Sequence, residues 1–145
     1  MSARKPGTPS SALVTSGLVE LAAGALTGWV YTATRMGVGA GTVDSKRIRQ
    51  WHLDLIMMGT ATVAAGLAAP DASKLARTAL GVGAWTNAMA FLPLAFSDDI
   101  EKTTAFKVAA ISSFVATSVG FTGMALGALR SRSGDRAGGN AVQAA

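Results

Sequence analysis

Four long apolar runs dominate this 145-residue chain. They cover about residues 12–32, 52–69, 75–96 and 106–129, and a helix needs roughly 20 residues to cross a bilayer. The composition agrees, because half of the residues are apolar and 14% are charged, whereas a soluble domain has about 25% charged residues. The sequence therefore predicts an all-α, integral-membrane four-helix bundle over residues 11–130.

The segments outside these runs are polar or rich in glycine. Residues 1–10 and 131–145 are predicted to be disordered tails, and the glycines within 33–51 predict a flexible loop before the second helix. An N-terminal secretory signal is the alternative for the first run, which follows a basic stretch. Glu20 splits that run, which then continues for a full span, so we expect a retained helix.

Several classes of site are excluded by composition. The chain has no cysteine, which removes disulfides, iron–sulfur clusters and thiolate metal sites. Its single histidine excludes every metal site that needs two or more. The net charge of +5 comes from tails and loops, without a basic face interleaved with aromatic residues, so we expect no nucleic-acid partner.

Small residues four apart predict where the helices approach one another. Gly24 and Gly28 form such a pair on the first helix, and Gly123 and Gly127 form another on the fourth. Close backbone approach through small residues is how helices associate in lipid. These pairs indicate ordinary packing rather than a particular function.

Three ionisable residues lie within the predicted spans, namely Glu20, His52 and Asp54. A charged group inside a bilayer normally faces a partner or a wet cavity. Because the second helix runs antiparallel to the first, Glu20 is expected to lie far from His52 and Asp54, without direct contact. The sequence leaves open whether Glu20 is structural or functional.

His52 is the first residue of the second run, and it lies on a helix face that contains two glycines. Two residues on a helix differ by about 200°, so His52 and Asp54 point in different directions. His52 shares its face with four residues further along: Ile56, Gly59, Val63 and Gly66. This flat strip could accept either a neighbouring helix or a planar ligand such as a haem. The alternative is that Trp51 and His52 only anchor the helix at the membrane surface.

The third run carries Asn87 about midway. An amide at that depth requires a hydrogen-bonding partner. It is therefore either an interhelical hydrogen bond or a group that orients a substrate.

The segment Trp51-His52-Leu53-Asp54-Leu55-Ile56-Met57-Met58-Gly59, with Arg35-Met36-Gly37 upstream, resembles hydroxylaminobenzene mutase, a small four-helix bacterial membrane enzyme. That family has His-Leu-Glu and Met-Asn-Gly at the same offsets, and its aromatic-x-Asn element matches Trp85-Thr86-Asn87. The arrangement is also similar to styrene oxide isomerase, whose second-helix histidine ligates a haem. The resemblance covers residues 35–96.

The resemblance implies roles for individual residues. His52 would ligate the iron of a haem b beside Gly59, Asn87 would orient the substrate, and Asp54 would stand in for the glutamate of the mutase. It further implies a small apolar aromatic substrate that arrives from the lipid phase and a bacterial inner (cytoplasmic) membrane location. Because four short helices enclose little volume, we also expect a homo-oligomer with a site shared between protomers.

The reaction implied is an isomerase reaction that converts a hydroxylamino-arene into an aminophenol without net redox change. The alternative is an epoxide-to-aldehyde isomerase in which the haem acts as a Lewis acid. Met58 replaces an asparagine of both families, and Gly83 and Phe91 replace an aspartate and a tyrosine of the isomerase. Because of these departures, a non-catalytic haem-binding or structural subunit is an alternative function. A small transporter subunit is a further alternative, because Glu20 is an ionisable residue within a predicted span.

Overall fold

The computed structural model describes the backbone of residues 11–143 and the side chains of residues 12–133. The tail predicted over 1–10 lies outside the described residues. Within them the chain is all-helical, with four long helices. In chain order the elements are α1 (Ser11–Arg35), α2 (Ser45–Ala68), α3 (Lys74–Met89), α4 (Phe91–Leu94), a 3₁₀ turn (Asp98–Lys102) and α5 (Thr104–Gln143).

Two of these helices, α1 and α5, are long and apolar enough to cross a membrane by length and composition. The helices that correspond to the second and third predicted spans, α2 and α3, do not meet these two criteria together. The first turns of α2 carry Lys46, Arg47 and Arg49, and α3 has 16 residues. The four-helix architecture thus agrees with the sequence prediction, and insertion of the bundle in a membrane stays a prediction.

Helix α2 begins seven residues before the predicted start at 52, and this changes the position of His52. The Asp44 carboxylate accepts a hydrogen bond from the Lys46 N–H at 2.8 Å and caps the helix. Ile48 is buried in the second turn, so this charged segment is amphipathic rather than a loop. The connection predicted over 33–51 therefore spans only 36–44, and His52 lies about two turns inside the helix.

The other ends also differ from the predicted boundaries. The third run, predicted as one helix over 75–96, breaks at Ala90 into α3 and the single turn α4, because Pro93 has no N–H to continue the ladder. Helix α5 continues to Gln143, past its predicted end at 129 and through most of the segment predicted to be a disordered tail.

The helices pack as two tight pairs joined along α2 and α3. In the first pair, a Cβ placed on Gly59 of α2 would lie 2.8 Å from the Gly17 carbonyl oxygen of α1. In the second, a Cβ on Gly120 of α5 would lie 2.5 Å from the backbone of Leu80 on α3. Because these residues are glycines without a side chain, the backbones of each helix pair approach closely, and this sets the distance between the two helices.

The predicted glycine pairs take part in these interfaces. Gly24 and Gly28 contact Ile56 and His52 of α2. Gly123 and Gly127 lie against alanines of α3 and of the turn before it. As expected, both pairs serve packing.

Candidate functional site

A hydrogen bond between α2 and α3 forms the polar centre of the molecule. The Asn87 Nδ2 group donates to Asp54 Oδ2 at 2.9 Å, and both side chains are half-buried. Asp54 reaches α3 because it points away from the α1-facing side of α2, as its spacing from His52 predicted. Asn87 thus has the interhelical partner that its depth required, and that partner lies in the same chain.

A cavity of about 190 Å³ adjoins this hydrogen bond. Its walls include Phe91 of α4 together with Phe106 and Phe114 of α5, and Asn87 contributes an amide. An apolar cavity of about 150 Å³ holds a benzene molecule, so the space suits a single aromatic ring. We call it the inner cavity.

Of the polar side chains that line this cavity, Asn87 is the one that can still form hydrogen bonds to a ligand. Ser113 also lines the wall, but its hydroxyl accepts from Thr86 at 2.8 Å and donates to the Gly83 carbonyl oxygen at 3.3 Å. Asn87 uses one N–H for Asp54, and no described residue bonds to its Oδ1. The amide can therefore both accept from and donate to a ligand.

His52 lies on the opposite side of α2, against α1. Its Nδ1 is 2.8 Å from the Gly24 carbonyl oxygen and 3.4 Å from Thr27 Oγ1. Because a carbonyl oxygen only accepts, Nδ1 carries a proton, and Nε2 is then the nitrogen able to bind a metal or accept a hydrogen bond. The structure does not bring His52 and Asn87 into one site within a chain.

The strip below His52 does not fit a haem in this chain. A Cβ on Gly59 would meet the Gly17 carbonyl oxygen at 2.8 Å, and one on Gly66 would meet the Val14 side chain at 2.9 Å. The sequence allowed either a neighbouring helix or a planar ligand on this strip, and the structure places helix α1 there. Gly59, predicted to lie beside a cofactor, serves the packing of α1 on α2.

The start of α2 also carries Trp51, which is partly exposed. Its Nε1 is buried and has no hydrogen-bond partner among the described residues. The anchoring of the helix at a membrane surface by Trp51 and His52 stays a prediction.

Glu20 is fully buried, and neither carboxyl oxygen has a hydrogen-bond partner in the described part of the chain. Thr62 of α2 is also fully buried, with an unpartnered hydroxyl. Gly17, three residues before Glu20, contacts Val63, and Leu21, the residue after Glu20, contacts Gly59. As expected, Glu20 makes no hydrogen bond to His52 or Asp54.

We predict that Glu20→Leu raises the free energy of unfolding by about 1–2 kcal/mol, because it removes an unsatisfied buried carboxyl group without creating a cavity. The measurement is a denaturation series in detergent followed by circular dichroism. Glu101→Leu is the control. It removes an exposed carboxylate that pairs with Arg47 at 3.2 Å and should cost at most about 1 kcal/mol. A less stable Glu20→Leu protein would mean that Glu20 has a partner.

Two positions at which the sequence departs from the families it resembles have structural consequences. A Cβ on Gly83 would lie 2.5 Å from the Thr117 backbone nitrogen, so an aspartate at this position would push α5 away. Phe91, which stands where the isomerase has a tyrosine, lines the inner cavity and gives it an apolar wall at that point.

The sequence could have indicated the aromatic walls. Asn87 and Phe91 are four residues apart, and Phe106, Ala110 and Phe114 repeat at the same interval. Residues at this spacing share a helix face. What the spacing could not indicate is that the two faces meet.

No family model, curated protein or solved structure matches this chain. The functional proposal therefore depends on the geometry of the inner cavity and on the resemblance of residues 35–96. Among the described residues no group of three or more His, Asp and Glu side chains could hold a metal ion.

Proposed function

We propose that this chain is an integral-membrane isomerase that rearranges a small apolar aromatic molecule in the inner cavity, without net redox change. The observation that carries the proposal is the position of the Asn87 amide, held by Asp54 at the edge of a cavity with three phenylalanines. Apolar pockets with one or two fixed polar groups are typical of small-molecule sites.

The membrane part of the proposal rests on the outward faces of the bundle. Large apolar side chains are exposed along α1 and α5: Leu18, Leu26, Trp29, Val30, Ile111, Phe114, Val115 and Leu126. Soluble monomers rarely expose such extended apolar surface. By the resemblance, the membrane is the bacterial inner membrane.

The cavity has the properties that a cationic rearrangement needs. In the mutase reaction the N–O bond breaks and a C–O bond forms on the ring, while that ring carbon loses a proton and nitrogen gains one. The molecular formula is unchanged, so no oxidant or reductant is required. Phenylalanine faces attract a positive charge, and an apolar wall keeps water away from a reactive cation.

Asn87 and Asp54 have separate roles in this proposal. Asn87 contacts the N–OH group of a hydroxylamino-arene and holds its oxygen towards the ring carbon that will receive it. For an epoxide, Asn87 would contact the oxygen, which stays on the terminal carbon while the benzylic C–O bond breaks and a hydride shifts to the benzylic carbon. Asp54 fixes the orientation of the amide from behind. Because the α2–α3 hydrogen bond exists before the ligand arrives, the amide pays little reorganisation cost on binding.

The test is turnover by the purified protein in liposomes, with phenylhydroxylamine and styrene oxide as substrates and no added redox cofactor. We expect aminophenol from phenylhydroxylamine, and the epoxide tests the alternative isomerase. Failure to convert either compound, by a protein that elutes as a single folded species, would overturn the proposal.

A second candidate, a haem-binding or structural membrane subunit, is favoured by the orientation of His52. Its Nδ1–H is held by a backbone carbonyl oxygen, as in many histidines that bind iron through Nε2. Since α1 covers the strip within the chain, such a haem would have to lie on the outer edge of His52, against a second protomer. The homo-oligomer expected from the small volume of the bundle would supply that contact.

A visible spectrum after haem-replete expression separates these candidates. A Soret band that disappears in His52→Ala, together with no turnover, is the result expected for the haem-binding subunit. The isomerase proposed above needs turnover that persists in His52→Ala. Turnover that is lost together with the band would instead favour the haem-dependent alternative.

A further inference from the structure

A second cavity of about 450 Å³ lies directly beside the inner cavity, between α3 and α5. The two cavities share four lining residues: Ala90, Phe106, Ala110 and Ser113. The second cavity extends outward to Met89, Pro93 and Ala109, and we call it the outer cleft. The two spaces are therefore neighbours that share a wall, and Ala110 lies at their common boundary.

The opening exists because α3 and α5 are tightly packed at only one end. Gly120 contacts the Leu80 backbone, and a Cβ on Gly83 would clash with Thr117. Beyond Gly83 the facing positions carry larger side chains, among them Met89 and Phe106. Helix α3 then ends at Met89, and the following residues Ala90 and Pro93 line the gap opposite α5.

The outer cleft opens onto a surface that would face lipid. Met89 on its rim is exposed, as are the neighbouring Val82 and Phe114. The α5 side of the cleft lies within the segment Thr104–Ser133, which is long and apolar enough to cross a membrane. In a bilayer the mouth of the cleft would therefore meet hydrocarbon rather than water.

We infer that the aromatic ligand reaches Asn87 sideways from the bilayer, through the outer cleft between α3 and α5, and that Ala110 sets the width of the passage. Ala110 lines both cavities, so a larger side chain there fills their junction. The occupant is a one-ring aromatic molecule, because the inner cavity holds about one ring and ends at an amide. This inference rests on the proposed function.

The experiment is photolabelling of the full chain in liposomes with 3-trifluoromethyl-3-phenyldiazirine, a one-ring aromatic probe that dissolves in lipid. Light releases N₂, and the carbene inserts into a nearby C–H bond, which mass spectrometry locates. We expect labels on Phe91 and Phe106, which line the inner cavity, that excess styrene oxide or aniline suppresses. Labels on the exposed α1 residues Leu18 and Trp29 should persist and serve as the internal control.

Two variants decide the route. Ala110→Phe should abolish the competitor-sensitive labels, whereas Val108→Phe, which adds the same side chain at an exposed position outside both cavities, should retain them. Competitor-sensitive labels that survive in Ala110→Phe would overturn the inference. Labels that no aromatic competitor reduces would also overturn it, since a lipid acyl chain would then be the occupant.

The outcome is separable from that of the isomerase assay. Labelling as expected without turnover would keep the passage and reject the isomerase. Turnover by the protein, together with competitor-sensitive labels that persist in Ala110→Phe, would support the isomerase and reject this route.

Discussion

Gly120→Ala is expected to lower the free energy of unfolding by about 3 kcal/mol, because the added methyl group would overlap the α3 backbone. Its Cβ would lie 2.5 Å from both the Cα and the nitrogen of Leu80. Backbone atoms cannot rotate away as a side chain can, so α5 must move outward. That movement would also loosen the neighbouring contact between Gly83 and Thr117.

The matched control for this prediction is Gly81→Ala, the same substitution on α3. A Cβ there would meet only a Leu13 methyl group at 3.6 Å, an ordinary contact. The intrinsic preference of helices for alanine should make this variant more stable by about 0.5–1 kcal/mol. Denaturant titration in detergent, followed by circular dichroism, measures both. Equal stability of the two variants would show that α3 and α5 do not meet at Gly120.

Asn87→Leu is expected to have the largest effect on activity, a loss in kcat/KM of about 10²-fold, or about 2.7 kcal/mol. The substitution removes the amide from the inner cavity and leaves the Asp54 carboxyl group without its partner at 2.9 Å. The measurement is the initial rate of phenylhydroxylamine conversion in liposomes. Unchanged kcat/KM would remove Asn87 from the site.

The hydrogen bond itself has an independent test in a double-mutant cycle of Asn87→Leu and Asp54→Leu. We expect a coupling free energy of about 2 kcal/mol in unfolding, the range for a hydrogen bond to a charged group. Thr60→Val with Asp54→Leu is the control, because Thr60 bonds only to the Ile56 carbonyl of its own helix. This cycle reports on the α2–α3 contact whether or not the protein is an isomerase.

The resemblance and the geometry differ in how they relate His52 to Asn87. Asn87 lies at a cavity whose volume fits an aromatic ring, and its role towards a substrate stays a prediction. His52 lies on the far side of α2, bonded to α1, and the glycine strip below it is covered. A mechanism in which one chain holds both the iron and the substrate therefore has no support from these distances.

Local patterns in the sequence were sufficient to predict the helices. The apolar runs gave four long helices, although the amphipathic start of α2 was taken for a loop because of its charges. Helical periodicity also separated His52 from Asp54, and the depth of Asn87 required a partner. Each of these predictions depends on residues within a few turns of one another.

Only the tertiary structure decided which faces meet. The inner cavity joins Asn87 and Phe91 to Phe106 on another helix, and the strip below His52 accepted α1 rather than a planar ligand. The sequence alone indicated that four apolar runs form helices, since the backbone must satisfy its hydrogen bonds locally. It could not indicate the neighbours of each face, because close packing depends on the fit between surfaces that are distant in the chain.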